Sequence, residues 1–131
     1  MGGSSSQPTI PLSEDSKKIL AEIKQHPVVI YSKDGCGYCV KAKEELDQDK
    51  IKYTEKNINV YAQQNPDGVQ AYLKGLIDLT HQRTVPQIFV CGKFVGGYTE
   101  LNALRPNLAT IVETCSLDRG QTLRDEIAAK L

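Results

Sequence analysis

The chain has 131 residues, with sixteen basic side chains balancing sixteen acidic ones, and four cysteines. That length supports one domain with its own core, and the neutral balance removes any global field toward nucleic acid or anionic membrane. Four cysteines are too few for a disulfide scaffold, and no stretch approaches the length of a membrane-spanning helix.

The start, Met1-Gly2-Gly3-Ser4-Ser5-Ser6-Gln7-Pro8, is small and polar. Residues 1–12 are therefore expected to be a disordered tail and residues 13–131 to form the domain. Gly2 behind Met1, with Ser6 at the required spacing, also fits the N-myristoylation pattern. A membrane is expected as a partner only if Gly2 carries that lipid, and one acyl chain anchors weakly. The first thirty residues contain no apolar signal core and no arginine, while Glu14, Asp15 and Glu22 are acidic. That argues against a secretory or transit peptide and makes the cytoplasm the expected compartment.

Ser13 is a plausible N-cap before Glu14 and Asp15, and Ile19, Leu20 and Ile23 fall on one face, so residues 14–25 read as an amphipathic helix. His26-Pro27 ends it. Val28-Val29-Ile30-Tyr31 is a β-branched and aromatic run of the kind that fills a buried strand. Next comes Lys33-Asp34-Gly35-Cys36-Gly37-Tyr38-Cys39, followed by helix formers to about Asp49. The two cysteines therefore fall at a strand-to-helix junction, Cys36 just ahead of the helix and Cys39 in its first turn. Free N–H groups and the positive end of the helix dipole favour a thiolate there, and Lys33 adds charge. Thiols so placed have pKa values of about 3.5–7.5 against about 8.5 for a free cysteine. The pattern reads as a redox dithiol.

Residues 52–58 read as a second strand, less apolar and so nearer a sheet edge, joined to the first by a right-handed parallel crossover. Asn65-Pro66-Asp67-Gly68 is a turn with Pro66 suited to the first helical position, and Val69, Tyr72, Leu73, Leu76 and Ile77 give the following helix its apolar face. Arg83-Thr84-Val85-Pro86 leads into Gln87-Ile88-Phe89-Val90, and a tight Cys91-Gly92-Lys93 turn returns the chain through Phe94-Val95-Gly96-Gly97 as a β-hairpin. Tyr98-Thr99-Glu100 opens a short helix that Pro106 is expected to interrupt, with another helix running to about Cys115. Leu123, Ile127 and Leu131, four apart, suggest a last amphipathic segment over the core. The order implies an α/β sandwich on a mixed sheet.

The Cys36-Gly37-Tyr38-Cys39 block after the first strand, Thr84-Val85-Pro86 before the third, and Gly96-Gly97-Tyr98-Thr99-Glu100 after the fourth together resemble a dithiol glutaredoxin, from about Pro27 to about Leu104. The resemblance implies a thioredoxin-like fold, with a four-stranded mixed sheet flanked by helices on both faces. It also implies a glutathione-dependent thiol–disulfide oxidoreductase that reduces protein disulfides and glutathione mixed disulfides. By the same resemblance Cys36 is the nucleophile that takes up glutathione, and Cys39 is the resolving thiol. Tyr38 flanks the sulfur, Val85 offers its backbone to the cysteinyl part of glutathione beside Thr84, and Pro86 is cis. Lys33, Gln70 and Arg83 match positions that hold the glycine carboxylate, Thr99 and Glu100 match the γ-glutamyl end, and Gly97 is a further glutathione-binding residue. Glu100 departs from the usual Asp, and the segment 73–82 is longer than usual. Partners so implied are glutathione and glutathionylated or disulfide-bonded proteins, with the apo protein a monomer.

Gly37 stands where most dithiol members carry Pro. Members with a small residue there can hold a [2Fe–2S] cluster between two subunits, so the alternative is a glutathione-ligated cluster dimer with Cys36 as metal ligand, against a Gly37 that only tunes the redox potential. A zinc site is disfavoured, because Cys91 and Cys115 do not form a second Cys-x-x-Cys pair. Those two read as packed or mildly reactive thiols, free to pair with each other or with another chain. His26 reads as a helix C-terminal residue rather than a base for Cys36, Thr99 serves equally as an N-cap, and His81 as a surface-loop residue.

Overall fold

The computed structural model describes residues 11–130, with side chains described as far as Cys115. The expected tail, Gly2 with it, lies outside the described residues apart from Pro11 and Leu12, and so do the side chains of Leu123 and Ile127 and all of Leu131.

Four strands form one sheet: β1 (Val28–Ser32), β2 (Thr54–Asn57), β3 (Gln87–Val90) and β4 (Lys93–Gly96), side by side in the order β2-β1-β3-β4. β2 runs parallel to β1, with Val29 opposite Thr54, while β3 is antiparallel to both β1 and β4. β1 is buried along its whole length because it serves two cores at once. Val28 and Ile30 face one layer with Ala42, Leu46, Ile88, Val90, Leu101 and Leu108. Val29 and Tyr31, pointing the other way, meet Ile19, Ile23, Tyr72, Leu76 and Phe89. The first layer belongs to α2 (Gly37–Gln48) and α5 (Tyr98–Lys130), the second to α1 (Glu14–Lys24) and α4 (Val69–Thr80). The mixed sheet is what the element order implied, and helices on both of its faces are what the resemblance implied.

Helix α1 is capped as its sequence suggests, with Ser13 Oγ accepting from the Ser16 N–H at 3.0 Å. It lies so close to α4 that a Cβ on Gly75 would come within 3.0 Å of the Ser16 nitrogen, and Ser16 Oγ donates to the Gly75 carbonyl at 2.9 Å. Helix α2 ends in a Schellman turn: Ile51 N–H bonds the Leu46 carbonyl at 2.9 Å, Lys50 N–H bonds Asp47 at 3.0 Å, and Lys50 takes φ 59°.

Several expectations need correction. The second strand is shorter than residues 52–58, because Asn57 Oδ1 accepts from the N–H groups of Asn59 and Val60 and so starts an unexpected helix, α3 (Ile58–Gln64). Its place at the sheet edge is as expected. Pro66 does not open α4; it stays in the turn, and the helix starts at Val69 after Gly68. The buried face of α4 is Tyr72, Gly75, Leu76 and Thr80, with Leu73 and Ile77 half-covered. Pro106 interrupts nothing, since α5 continues through it. Buried Leu101 and Leu108 pin the helix on either side, and Arg105 holds Asp49 through two bonds of 2.8 and 2.9 Å, so packing outweighs one lost backbone hydrogen bond. Cys91 and Cys115, which spacing left open, are joined by a disulfide that ties the β3–β4 turn to α5. Cys91 and Gly92 both take positive φ, 54° and 80°, as a two-residue hairpin loop demands.

Candidate active site

Cys36 is the N-cap of α2: it keeps an extended backbone, and the Cys39 N–H points at its sulfur at 3.2 Å. A left-handed Gly35, φ 72°, turns the chain from β1 into this position. Cys36 and Cys39 are disulfide-linked here, yet their access differs. Cys36 is partly exposed, whereas Cys39 is 1% exposed under the first turn of the helix. An incoming sulfur therefore reaches Cys36 first. Once reduced, that sulfur faces the helix N–H groups that favour its anion.

The second wall is the segment before β3. Val85–Pro86 is a cis peptide, and the Val85 carbonyl oxygen lies 3.7 Å from the Cys36 sulfur. Tyr31 at the end of β1 pairs with Gln87 at the start of β3, so two hydrogen-bonded central strands deliver the cysteine and the loop to the same end of the sheet. The third wall is the entry to α5. Its N-cap is Gly97, whose carbonyl accepts from Leu101 N–H at 3.0 Å. Thr99 is therefore in the first turn and is not the cap. Glu100 Oε1 reaches back to the Gly97 N–H at 2.7 Å, the half of a capping box that a glycine N-cap still permits.

Tyr38, Thr84, Val85, Pro86, Gly97, Thr99 and Glu100, all expected at the site, line one cleft of about 590 Å³ together with Gln82 and Tyr98. Lys33, Cys36 and Cys39 line a neighbouring hollow with Asp34, Lys43 and Asn57. Gln70 and Arg83 are solvent-exposed and line neither. Another hollow, of about 650 Å³, lies between His26, Ile51, Tyr53 and Val112 at the other end of β1, and no cysteine lines it.

Four features of the site had no counterpart in the sequence reading. Tyr38, 60% exposed, leans on the Tyr98 ring at 5.5 Å and lies under Lys41 Nζ at 5.3 Å, so an aromatic pair and a cation steady the residue beside the sulfur. Tyr98 in turn donates to Glu45 on α2. Asp34, next to the motif, accepts from Asn57 Nδ2 at 3.0 Å and donates its backbone N–H to Asn59 at 2.7 Å. Gln82 and Gln87 bond the loop carbonyls. The Asn57-Ile58-Asn59 spacing was a readable capping signal; the other contacts join residues distant in sequence or inside an irregular loop, which periodicity does not register.

A glutaredoxin family model matches residues 28–95. The mitochondrial glutaredoxin-2 of Homo sapiens is 33% identical over 108 residues, which are 79% of this chain and 62% of that protein. This chain thus spans less than two thirds of that relative. A buckwheat glutaredoxin solved as its glutathione complex is 28% identical with a TM-score of 0.65, covering 81% of this chain and 97% of that one. The holo form of glutaredoxin C1 from Populus tremula x tremuloides is 26% identical with a TM-score of 0.68, covering 79% and 99%. The sheet and its helices have the thioredoxin-like arrangement of these neighbours.

Proposed function

This chain belongs to the glutaredoxin family, and we propose that it is a glutathione-dependent thiol–disulfide oxidoreductase acting through Cys36. The observation that carries the reading is the unequal pair: one sulfur accessible at a helix mouth, the other buried three residues on. In the first step the Cys36 thiolate attacks the glutathione sulfur of a mixed disulfide. The bond between glutathione and the substrate protein breaks, the protein thiolate leaves and takes a proton, and a Cys36–glutathione disulfide forms. A second glutathione thiolate then attacks that bond, releasing glutathione disulfide and restoring the Cys36 thiolate. With a protein disulfide, the Cys36 thiolate attacks one sulfur, and Cys39 attacks the resulting mixed disulfide, freeing the second protein thiol and leaving the Cys36–Cys39 disulfide of this structure.

The cleft supports a glutathione seated beside that sulfur. Val85 lies next to Cys36 and is suited to pairing with the cysteinyl backbone. At the γ-glutamyl end, first-turn N–H groups of α5 suit a carboxylate and Glu100 suits the ammonium. Lys33, Arg83 and Gln70 remain the candidates for the glycine carboxylate. Replacing Cys36 with Ser is expected to abolish turnover of a glutathionylated peptide, while Cys39→Ser keeps it. Equal loss in both variants would overturn the assignment. A cytoplasmic location belongs to the same proposal.

The second reading, a [2Fe–2S] cluster shared by two copies, rests on Gly37. A Cβ there would meet no atom within 4 Å, so the small residue is not imposed by packing. Among the described residues no three His, Cys, Asp or Glu side chains gather into a metal site. One chain therefore does not complete a four-ligand set from its described residues, and this reading takes the Cys36 thiolate of each of two copies with two glutathiones. Anaerobic purification with glutathione, followed by a visible spectrum and sizing, tests this. A colourless monomer removes it.

A further inference from the structure

The segment Gln82–Gln87 has no regular backbone pairing until β3 begins, yet three of its carbonyls are held by side chains. Gln82 Nε2 donates to the Thr84 carbonyl at 2.9 Å and to the Pro86 carbonyl at 3.2 Å. From beneath, Gln87 Nε2 donates to the Gln82 carbonyl at 2.6 Å and to Thr84 at 3.2 Å. Gln82 is itself fixed, since its N–H bonds Thr80 Oγ1 at 3.2 Å at the end of α4. The carbonyls of residues 82, 84 and 86 are thus held by two side-chain amides. The carbonyl left to face the reactive sulfur is that of Val85, at 3.7 Å.

Gln87 is 2% exposed and belongs to the core, but Gln82 is half-exposed and lines the cleft itself, within 3.8 Å of where a Cβ on Gly97 would stand. Its amide therefore sits between the loop and the α5 entry, the two walls that a ligand beside Cys36 would touch. The geometry points to Gln82 as a positioning residue. By donating to two carbonyls at once it fixes the orientation of Val85, and so sets the affinity of the cleft for the peptide backbone of the thiol it accepts. This rests on the glutathione reading above. The amide touches no reacting atom, so the rate of sulfur exchange in the bound complex does not depend on it.

Gln82→Met keeps the length and removes both donors; Gln82→Glu sets a charged acceptor against two carbonyls. With a glutathionylated peptide as varied substrate and saturating glutathione, Gln82→Met is expected to raise KM about three- to tenfold, because the ligand must then order a loop that the free protein no longer holds, with kcat unchanged. Gln82→Glu is expected to raise KM further. Melting curves accompany both variants: the lost bonds lie within the protein, so each midpoint is expected to fall by a few degrees, and KM is compared below the onset of unfolding. A wild-type KM in both variants, or a fall in kcat with KM unmoved, overturns the inference. Failure of the wild-type protein to turn over the substrate at all would instead overturn the glutathione reading.

Discussion

The bridge between Cys91 and Cys115 gives the sharpest quantitative expectation. It closes a loop with a sequence separation of 24 residues between the hairpin turn and α5. Confining that many residues in the unfolded chain removes about 12 cal/mol/K of entropy, or about 3.4 kcal/mol at 25 °C. Unfolding entropy near 2.1 cal/mol/K per residue, applied to 131 residues, converts this to a fall of about 12 °C in melting temperature. The clean comparison starts from a Cys36→Ser/Cys39→Ser background, so that reductant acts on one bridge alone. In calorimetry under oxidising conditions, adding Cys91→Ser and Cys115→Ser should lower the midpoint by that amount. Dithiothreitol should bring the parent to the level of the quadruple variant and leave the quadruple variant unchanged. Melting of the two within 2 °C would refute the argument, as would peptide mapping that finds Cys91 and Cys115 unlinked.

The close approach of α1 to α4 predicts that Gly75→Ala destabilises. Helix propensity favours Ala by about 1 kcal/mol, but the new methyl meets the Ser16 nitrogen and the Asp15 backbone at 3.0–3.2 Å, contacts that neither helix relieves without shifting. Overpacking of about 1–3 kcal/mol outweighs the gain, and urea denaturation reads the sign; greater stability would refute it. Arg105 sets a pH dependence. Its hydrogen bonds hold the Asp49 carboxyl below its ordinary value, with slight burial opposing. A carboxyl depressed in the folded state adds stability above its unfolded pKa, and that increment is lost as pH falls through the folded one. The melting-temperature gap between wild type and Arg105→Met should therefore be full at pH 7 and close as the solution is acidified below the usual carboxylate range. A gap that persists unchanged at pH 2 would show that the contact acts through packing alone.

The parts of the fold that sequence conveyed are those written in periodicity. Val28-Val29-Ile30-Tyr31 read as a buried strand and is buried along its length, and the less apolar residues 52–58 pointed to the sheet edge where β2 lies. Three motif blocks in order located the cleft's walls, because each sits at a junction whose geometry follows from its neighbours. Pro106 misled because local propensity says nothing about Leu101 and Leu108, whose burial carries the helix past it. Asn57 was a cap written in plain residues but overshadowed by the β-like run before it. The Gln82 and Gln87 bonds were illegible for another reason: amides serving irregular backbone have no repeat, and their partners exist only once the loop is folded.

The antiparallel pairing of β1 with β3 works as a caliper whose jaws are Cys36 and Val85. Its setting is fixed in whole-residue steps, since slipping the ladder by one place would turn both cores inside out. Variation in this protein is therefore channelled: residues mounted on the jaws are open to change, and with them the preference for one thiol over another, while the gap itself admits no gradual adjustment. An insertion within either strand would be an all-or-nothing event.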